Sequence, residues 1–139
     1  RDYSLAVMAL MPEDQYDFKP TEEQMTFREQ VIHNLRQMTR FPAIYLGAEP
    51  FGRQEDVKTA DSLSVSDLTA LATEGFAYTR RAAAGLDAEA LNETVDFFAG
   101  PKTKRQVLNV LNDHLTHHRA QMIVYLRLQG VKPPRYVGW

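Results

Sequence analysis

Apolar residues recur at helical spacing in three long segments of the chain. The first segment begins at residues 26–29, Thr-Phe-Arg-Glu, where a hydroxyl residue is followed by a carboxylate three positions on, as in a capping box. Its apolar positions are about one turn apart: Phe27, Val31, Leu35 and Met38. The spacing predicts a helix that extends to about Leu46.

A second helix is predicted from Ser64 to about Gly85. Four of its side chains are candidates for burial: Leu68, Leu71, Phe76 and Tyr78. Residues 47–61, between these two helices, hold glycine, proline and mixed charges, which are typical of a loop. Residues 4–11 have the pattern of a helix end, and Pro12 stops that helix.

The third long helix begins at a second capping box, residues 103–106, and is predicted to end at Gln129, before Gly130. Residues 87–101 have no clear pattern, and no segment has the alternation of a strong strand. Three long helices and part of a fourth predict an all-α four-helix bundle in a single domain, residues 1–139. We expect its first helix to be truncated in this chain.

Charge and composition exclude several functional classes. The net charge is −2 and no basic run is present, so we expect no nucleic-acid partner. The chain has no cysteine, which excludes disulfides, thiolate ligands and a cysteine nucleophile. This composition fits a cytoplasmic protein. No apolar run reaches membrane-spanning length, so we expect no membrane partner.

Three of the four histidines lie within residues 114–118 of the last predicted helix. With Val107 as zero on a helical wheel, His114 lies at about −20° and His118 at about +20°, inside the apolar stripe, whereas His117 lies at its edge, at about −80°. Imidazole is a common ligand for late first-row metals. Two inward imidazoles one turn apart therefore indicate either a metal site, provided that a third ligand comes from elsewhere, or a pair of core histidines with other hydrogen-bond partners.

His33 is the only other histidine, and periodicity leaves its role open. It lies about 135° from the centre of the apolar stripe of its helix, which favours a surface or boundary position. The alternative is that this flank of the helix faces the bundle cleft.

The sequence indicates the roles of other side chains near the histidines less strongly. Gln121 is predicted either to hydrogen-bond to a metal ligand or to be a polar boundary residue. Tyr125 is expected to be a core aromatic, and Arg119 and Arg127 to point away and form salt bridges. Trp139 is expected either to pack on the bundle or to be flexible.

Several runs of the sequence resemble the DinB/YfiT-like family of small metal-binding bundles. The strongest is residues 111–121, Leu-Asn-Asp-His-Leu-Thr-His-His-Arg-Ala-Gln, continued by Tyr-Leu-Arg at 125–127 and Gly-Val-Lys-Pro-Pro-Arg-Tyr at 130–136. Residues 11–20 and 26–33 are similar to the family's first connection and second helix. Ala120 departs from the glycine of many members, but it is not a ligand position.

The resemblance implies a four-helix bundle in which His33, His114 and His118 hold one divalent metal ion. We expect zinc or nickel, and three imidazoles also accommodate iron or copper, since affinity order alone does not choose among them. The resemblance further implies a longer first helix before Tyr3 and assembly as a homodimer.

Three neutral ligands leave coordination positions open, as in catalytic metal sites. Relatives of the family indicate an enzyme that activates a low-molecular-weight thiol for transfer to a small-molecule substrate. The first alternative is a metal-water hydrolase, and the second is a metal-bearing binding or stress-response protein without turnover. The sequence identifies no general base and no other catalytic residue.

Overall fold

The computed structural model describes residues 1–137, most of which are helical. The helices are α1 (Asp2–Leu10), α2 (Phe27–Tyr45), α3 (Gln54–Lys58), α4 (Val65–Ala84) and α5 (Lys104–Leu128). Single 3₁₀ turns occupy Glu13–Gln15, Ala60–Ser62 and Ala90–Asn92. The predicted all-α four-helix bundle is confirmed, and it is formed by α1, α2, α4 and α5.

Both predicted capping boxes are present at the helix starts. The Glu29 amide donates to Thr26 Oγ1 at 3.1 Å, and the Thr26 amide donates to the Glu29 carboxylate at 2.7 Å. The Thr103 and Gln106 pair repeats this arrangement at the start of α5. Because α2 and α5 carry the histidines of interest, these caps fix where each histidine-bearing helix begins.

Helix α2 is the centre of the bundle, since it packs against both α4 and α5. Its contact with α4 is close at Gly75, where an added Cβ would lie 2.9 Å from Leu35 Cδ1. Leu35 and Met38 are fully buried in this contact region. One side of α2 is therefore covered by α4, and a second side is covered by α5.

Two segments differ from the sequence predictions. Residues 47–61, predicted to be a loop, contain α3 and a 3₁₀ turn, because the buried side chains of Val57 and Ala60 attach this segment to the core. Phe76, predicted to be buried, is only half-buried against the core cluster.

A short hairpin lies between α4 and α5, where the sequence had no clear pattern. Strand β1 (Thr94–Val95) pairs antiparallel with β2 (Lys102–Thr103). Gly100 has φ +91°, a conformation that L side chains rarely adopt, in the segment joining the strands. Two-residue strands are too short to show an alternating pattern. In the part of the chain described, no helix combines the length and apolar character needed to cross a membrane.

Candidate metal centre

His33, His114 and His118 come together between α2 and α5. Their ring centroids are 4.8 Å apart for His33 and His114, and 4.5 Å apart for each of the other two pairs. One ring nitrogen from each lies within 4.8 Å of the others, so the three could hold one metal ion. His118 is buried at 9% exposure, while His33 and His114 are half-buried.

The position of His33 follows from the central place of α2 in the bundle. A helix covered on one side only would leave the flank opposite its apolar stripe in water. Here that flank meets α5, since Gln30 hydrogen-bonds to α5 residues and the His33 ring lies beside the His114 and His118 rings. Periodicity favoured a surface or boundary position; His33 is half-buried at the boundary, and its ring faces the cleft as in the alternative.

A chain of hydrogen bonds fixes the orientation of the His118 ring. His118 Nδ1 lies 2.5 Å from Gln30 Oε1, Gln30 Nε2 donates to the Tyr125 hydroxyl at 3.4 Å, and that hydroxyl donates to the Met25 carbonyl at 2.8 Å. The Met25 carbonyl can only accept, so the Tyr125 hydroxyl donates to it and accepts from Gln30 Nε2. Gln30 therefore presents Oε1 to His118, and this oxygen can only accept a hydrogen bond. His118 therefore carries its proton on Nδ1, which leaves the lone pair of Nε2 free to bind a metal.

His114 contains a buried nitrogen that lacks a partner. Its Nε2 atom is one of three buried side-chain polar atoms without a hydrogen bond among residues 1–137. An unsatisfied buried polar atom is costly, and native proteins contain few of them. A metal ion shared with the two neighbouring imidazoles would satisfy this atom, so the donor set fits such a group.

The three rings favour their neutral forms. Burial, followed by the nearby His114, His33 and His117 rings, lowers the pKa of His118 from 6.5 to about 4. Burial, followed by the neighbouring His33 and His117, also lowers the pKa of His114. Burial and then the Arg36 charge lower the pKa of His33. Neutral imidazole is the form that binds metals, so protons do not compete at neutral pH.

The cluster is open on one side. A cavity of about 330 Å³ contacts His33 and His114. Its other lining residues are Gln37, Arg40, Phe41, Tyr45, Phe98 and Val110. No carboxylate is among the described lining residues, so this side offers cationic, amide and apolar groups.

The helical wheel predicted the burial or exposure of most of the α5 side chains correctly. His117 is exposed, as predicted for a residue at the edge of the stripe. Tyr125 is a core aromatic with 1% exposure and a bonded hydroxyl. Gln121 is half-buried and its side chain forms no hydrogen bond within the part of the chain described, which matches the boundary interpretation.

Gln30 was not predicted from the sequence to contact a histidine. The available signal was its position three residues before His33, which places the two side chains on the same face of α2. A buried glutamine beside a histidine needs partners, and His118 and Tyr125 supply them.

Arg119 differs from its predicted role. Its guanidinium donates to Ser4 Oγ and lies over the Tyr3 ring at 5.1 Å, whereas a salt bridge was expected. Tyr136 packs edge-on against Tyr3 at 6.1 Å between ring centroids. The prediction for Trp139 concerns a position outside the described residues.

Together, these features define a helical bundle protein with a candidate three-histidine metal centre. The sequence profile of the DinB superfamily matches residues 1–122, and the chain belongs to this superfamily.

Similar proteins support this membership. The chain is 31% identical over 126 residues to the uncharacterised protein YjoA of Bacillus subtilis strain 168, covering 84% of this chain and 75% of YjoA. The crystal structure of DinB-like YjoA superposes with a TM-score of 0.77 at 22% identity, covering 97% of this chain and 89% of that one. A DinB-like protein from Bacillus cereus ATCC 10987 gives 0.73 at 16% identity, with 98% and 89% coverage. These superpositions show the shared fold.

The hydrogen-bond chain predicts the tautomer of His118 in metal-free protein. Ring-nitrogen NMR should show the proton of His118 on Nδ1. Gln30→Leu removes its acceptor, so this signal should be lost and the free energy of unfolding should fall by about 1–3 kcal/mol. Gln121→Leu is the matched control and should change neither. An unaltered Nδ1–H signal in Gln30→Leu would contradict the assignment.

The lowered histidine pKa values predict acid sensitivity of the metal-free protein. Between pH 6.5 and about 4 the unfolded chain binds a proton at His118 that the folded chain does not. The free energy of unfolding should therefore decrease as the pH falls through this range. Urea titrations at several pH values measure it, and His118→Gln should show a shallower pH dependence. Equal slopes in both proteins would rule out this source of acid sensitivity.

Proposed function

We propose that this chain is a metal-dependent enzyme that activates a low-molecular-weight thiol for transfer to a small electrophile. His33, His114 and His118 are the proposed ligands of one divalent ion. The observation that carries the proposal is the meeting of three imidazoles, one with a buried unpartnered nitrogen, beside a cavity that is open to small molecules.

The donor set suits a late first-row metal ion. Three neutral nitrogens fit zinc or nickel, and they also accommodate iron or copper. Gln30 would orient the His118 ring by accepting a hydrogen bond from Nδ1, the nitrogen that does not bind the ion, as supporting residues commonly do at metal centres. Three protein ligands are the usual number where a fourth position is used for chemistry.

The composition of the cavity favours a thiol over water as the nucleophile. A bound divalent ion would supply the positive charge that deprotonates a coordinated thiol. The chain has no cysteine, so the thiol must enter from solution. The described cavity lining holds no carboxylate to accept a proton from water, and the histidines are the proposed ligands, whereas a thiol is far more acidic than water and can lose its proton to solvent.

The proposed transfer forms one bond and breaks one. The thiol releases its proton to solvent, and the sulfur then forms a C–S bond with an electrophilic carbon. The leaving group departs with the electrons of the broken bond. The cavity lining would hold the electrophile against the sulfur and exclude water from it. Assembly as a homodimer and a cytoplasmic location stay predictions.

Metal analysis tests the ligand set. Protein purified without a histidine tag should contain close to one divalent ion per chain. His33→Ala, His114→Ala and His118→Ala should each lose most of it, because two remaining imidazoles bind weakly. His117→Ala, the neighbouring exposed histidine, should keep full metal content. Full occupancy in the three ligand variants would refute the site.

Thiol-dependent turnover tests the reaction. Bacillithiol, mycothiol, glutathione and free cysteine can each be offered with monochlorobimane, and the fluorescent adduct measured. At least one thiol should react faster than in the absence of protein, and chelator or His114→Ala should remove the difference. Ester or amide cleavage without thiol would support the hydrolase. A metal-loaded protein inactive in both assays would support the binding protein.

A further inference from the structure

We propose that the cavity beside the histidine cluster binds a small carboxylate with a planar apolar body, and that Arg40 binds the carboxylate. This inference rests on the proposed function, because it names the substrate class of the same site. The observations are an unpaired guanidinium, an aromatic wall and a lining without negative charge.

Arg40 is the unpaired arginine of α2. Within the described residues, Arg28 pairs with Asp17 at 3.1 Å and Arg36 pairs with Asp61 at 2.9 Å, whereas Arg40 has neither a carboxylate nor a hydrogen-bond partner. Arg40 is exposed, and its side chain lines the cavity. An available guanidinium at a cavity wall can form two parallel hydrogen bonds to a carboxylate, which gives both affinity and orientation.

The charge of the cavity favours an anion. Arg40 is the charged residue among the described lining groups, and no aspartate or glutamate offsets it. A divalent ion at the three neutral histidines would make the surroundings more positive. Water solvates the exposed Arg40 guanidinium beside a neutral occupant, whereas a carboxylate would form a charge-assisted pair with it.

An aromatic wall completes the cavity. Phe41 and Tyr45 line the cavity, and their rings pack on each other and on the buried Phe97 ring, with centroids 4.9 to 5.7 Å apart. Phe98 rests on Phe97 at 4.3 Å, yet it is 78% exposed. An exposed phenylalanine at a cavity edge offers a flat apolar surface that a planar occupant would cover.

The volume of the cavity and the separation of Arg40 from His33 limit the size and orientation of the occupant. A volume near 330 Å³ is at the small end of ligand sites, which run from about 300 to 1,000 Å³. Arg40 follows His33 by seven residues, so it lies on the same side of α2 about 10 Å further along the axis. The carboxylate would therefore be held at one end of the molecule, with the reacting end at the histidines.

Binding of two matched probes tests this assignment. Phenylacetate carries the carboxylate and phenylacetamide is its neutral counterpart, and both can be titrated by calorimetry into metal-free and zinc-loaded protein. Phenylacetate should bind more tightly. Arg40→Gln should weaken phenylacetate about tenfold or more and phenylacetamide less than twofold, because only the charged hydrogen bonds are lost.

Three further variants complete the test. Arg40→Lys keeps the positive charge but loses the two parallel N–H donors of the guanidinium, so it should give an intermediate affinity for phenylacetate. Arg135→Gln removes an exposed arginine that lies beyond the C-terminal end of α5 and does not line the cavity, so the affinity for both probes should be unchanged. Phe98→Ala should weaken both probes about three- to tenfold, because it removes the shared aromatic surface.

The outcomes separate this inference from the proposed function. Loss of phenylacetate affinity in metal-free Arg40→Gln supports the carboxylate site, even if the wild-type protein takes up no metal or shows no thiol transfer. Equal phenylacetate affinity in wild-type and Arg40→Gln protein overturns it, as does undetectable binding at millimolar probe. Binding that requires zinc and ignores Arg40 also overturns it, because the metal alone would then hold the carboxylate.

Discussion

The site depends on the burial of imidazoles between two helices. Placing three histidines where α2 meets α5 removes water from rings that need hydrogen-bond or metal partners. Gln30 satisfies one nitrogen of His118, while Nε2 of His114 is left without a partner. The bundle thus tolerates an incompletely satisfied polar cluster in an otherwise apolar interface, and real proteins accept such a cost mainly at functional sites.

The rest of the architecture supports that interface. Helix α2 is held from the far side by α4, with Gly75 allowing close approach, and from its start by the Thr26 cap. The hairpin before α5 holds Phe97 in the core and Phe98 at the cavity, while the Thr103 cap sets where α5 begins. The candidate site is therefore built from residues that lie far apart in the sequence, on elements whose positions are fixed by core packing. The fold alone names no substrate.

Much of the fold was predictable because its signals are local. The capping boxes and the apolar spacing identify α2 and α5, and the same helical geometry separates inward His118 from exposed His117. His33 was not predictable from periodicity, because an apolar stripe reports only one buried side and α2 has two. The resemblance to known bundles supplied this residue instead. The cavity around Arg40 and Phe98 required the three-dimensional structure, since the two residues come from segments separated by α3 and α4.

The hydrogen-bond chain behind His118 ends on the main chain, and this sets which positions are free to change. Any residue at position 25 that keeps the turn provides the same carbonyl, so the Met25 side chain, which is 38% exposed, is replaceable. Gln30 and Tyr125 have no such freedom, because each must both donate and accept through its own side chain. Position 25, where the hydrogen-bond chain ends, therefore tolerates substitution, whereas Gln30 and Tyr125 do not.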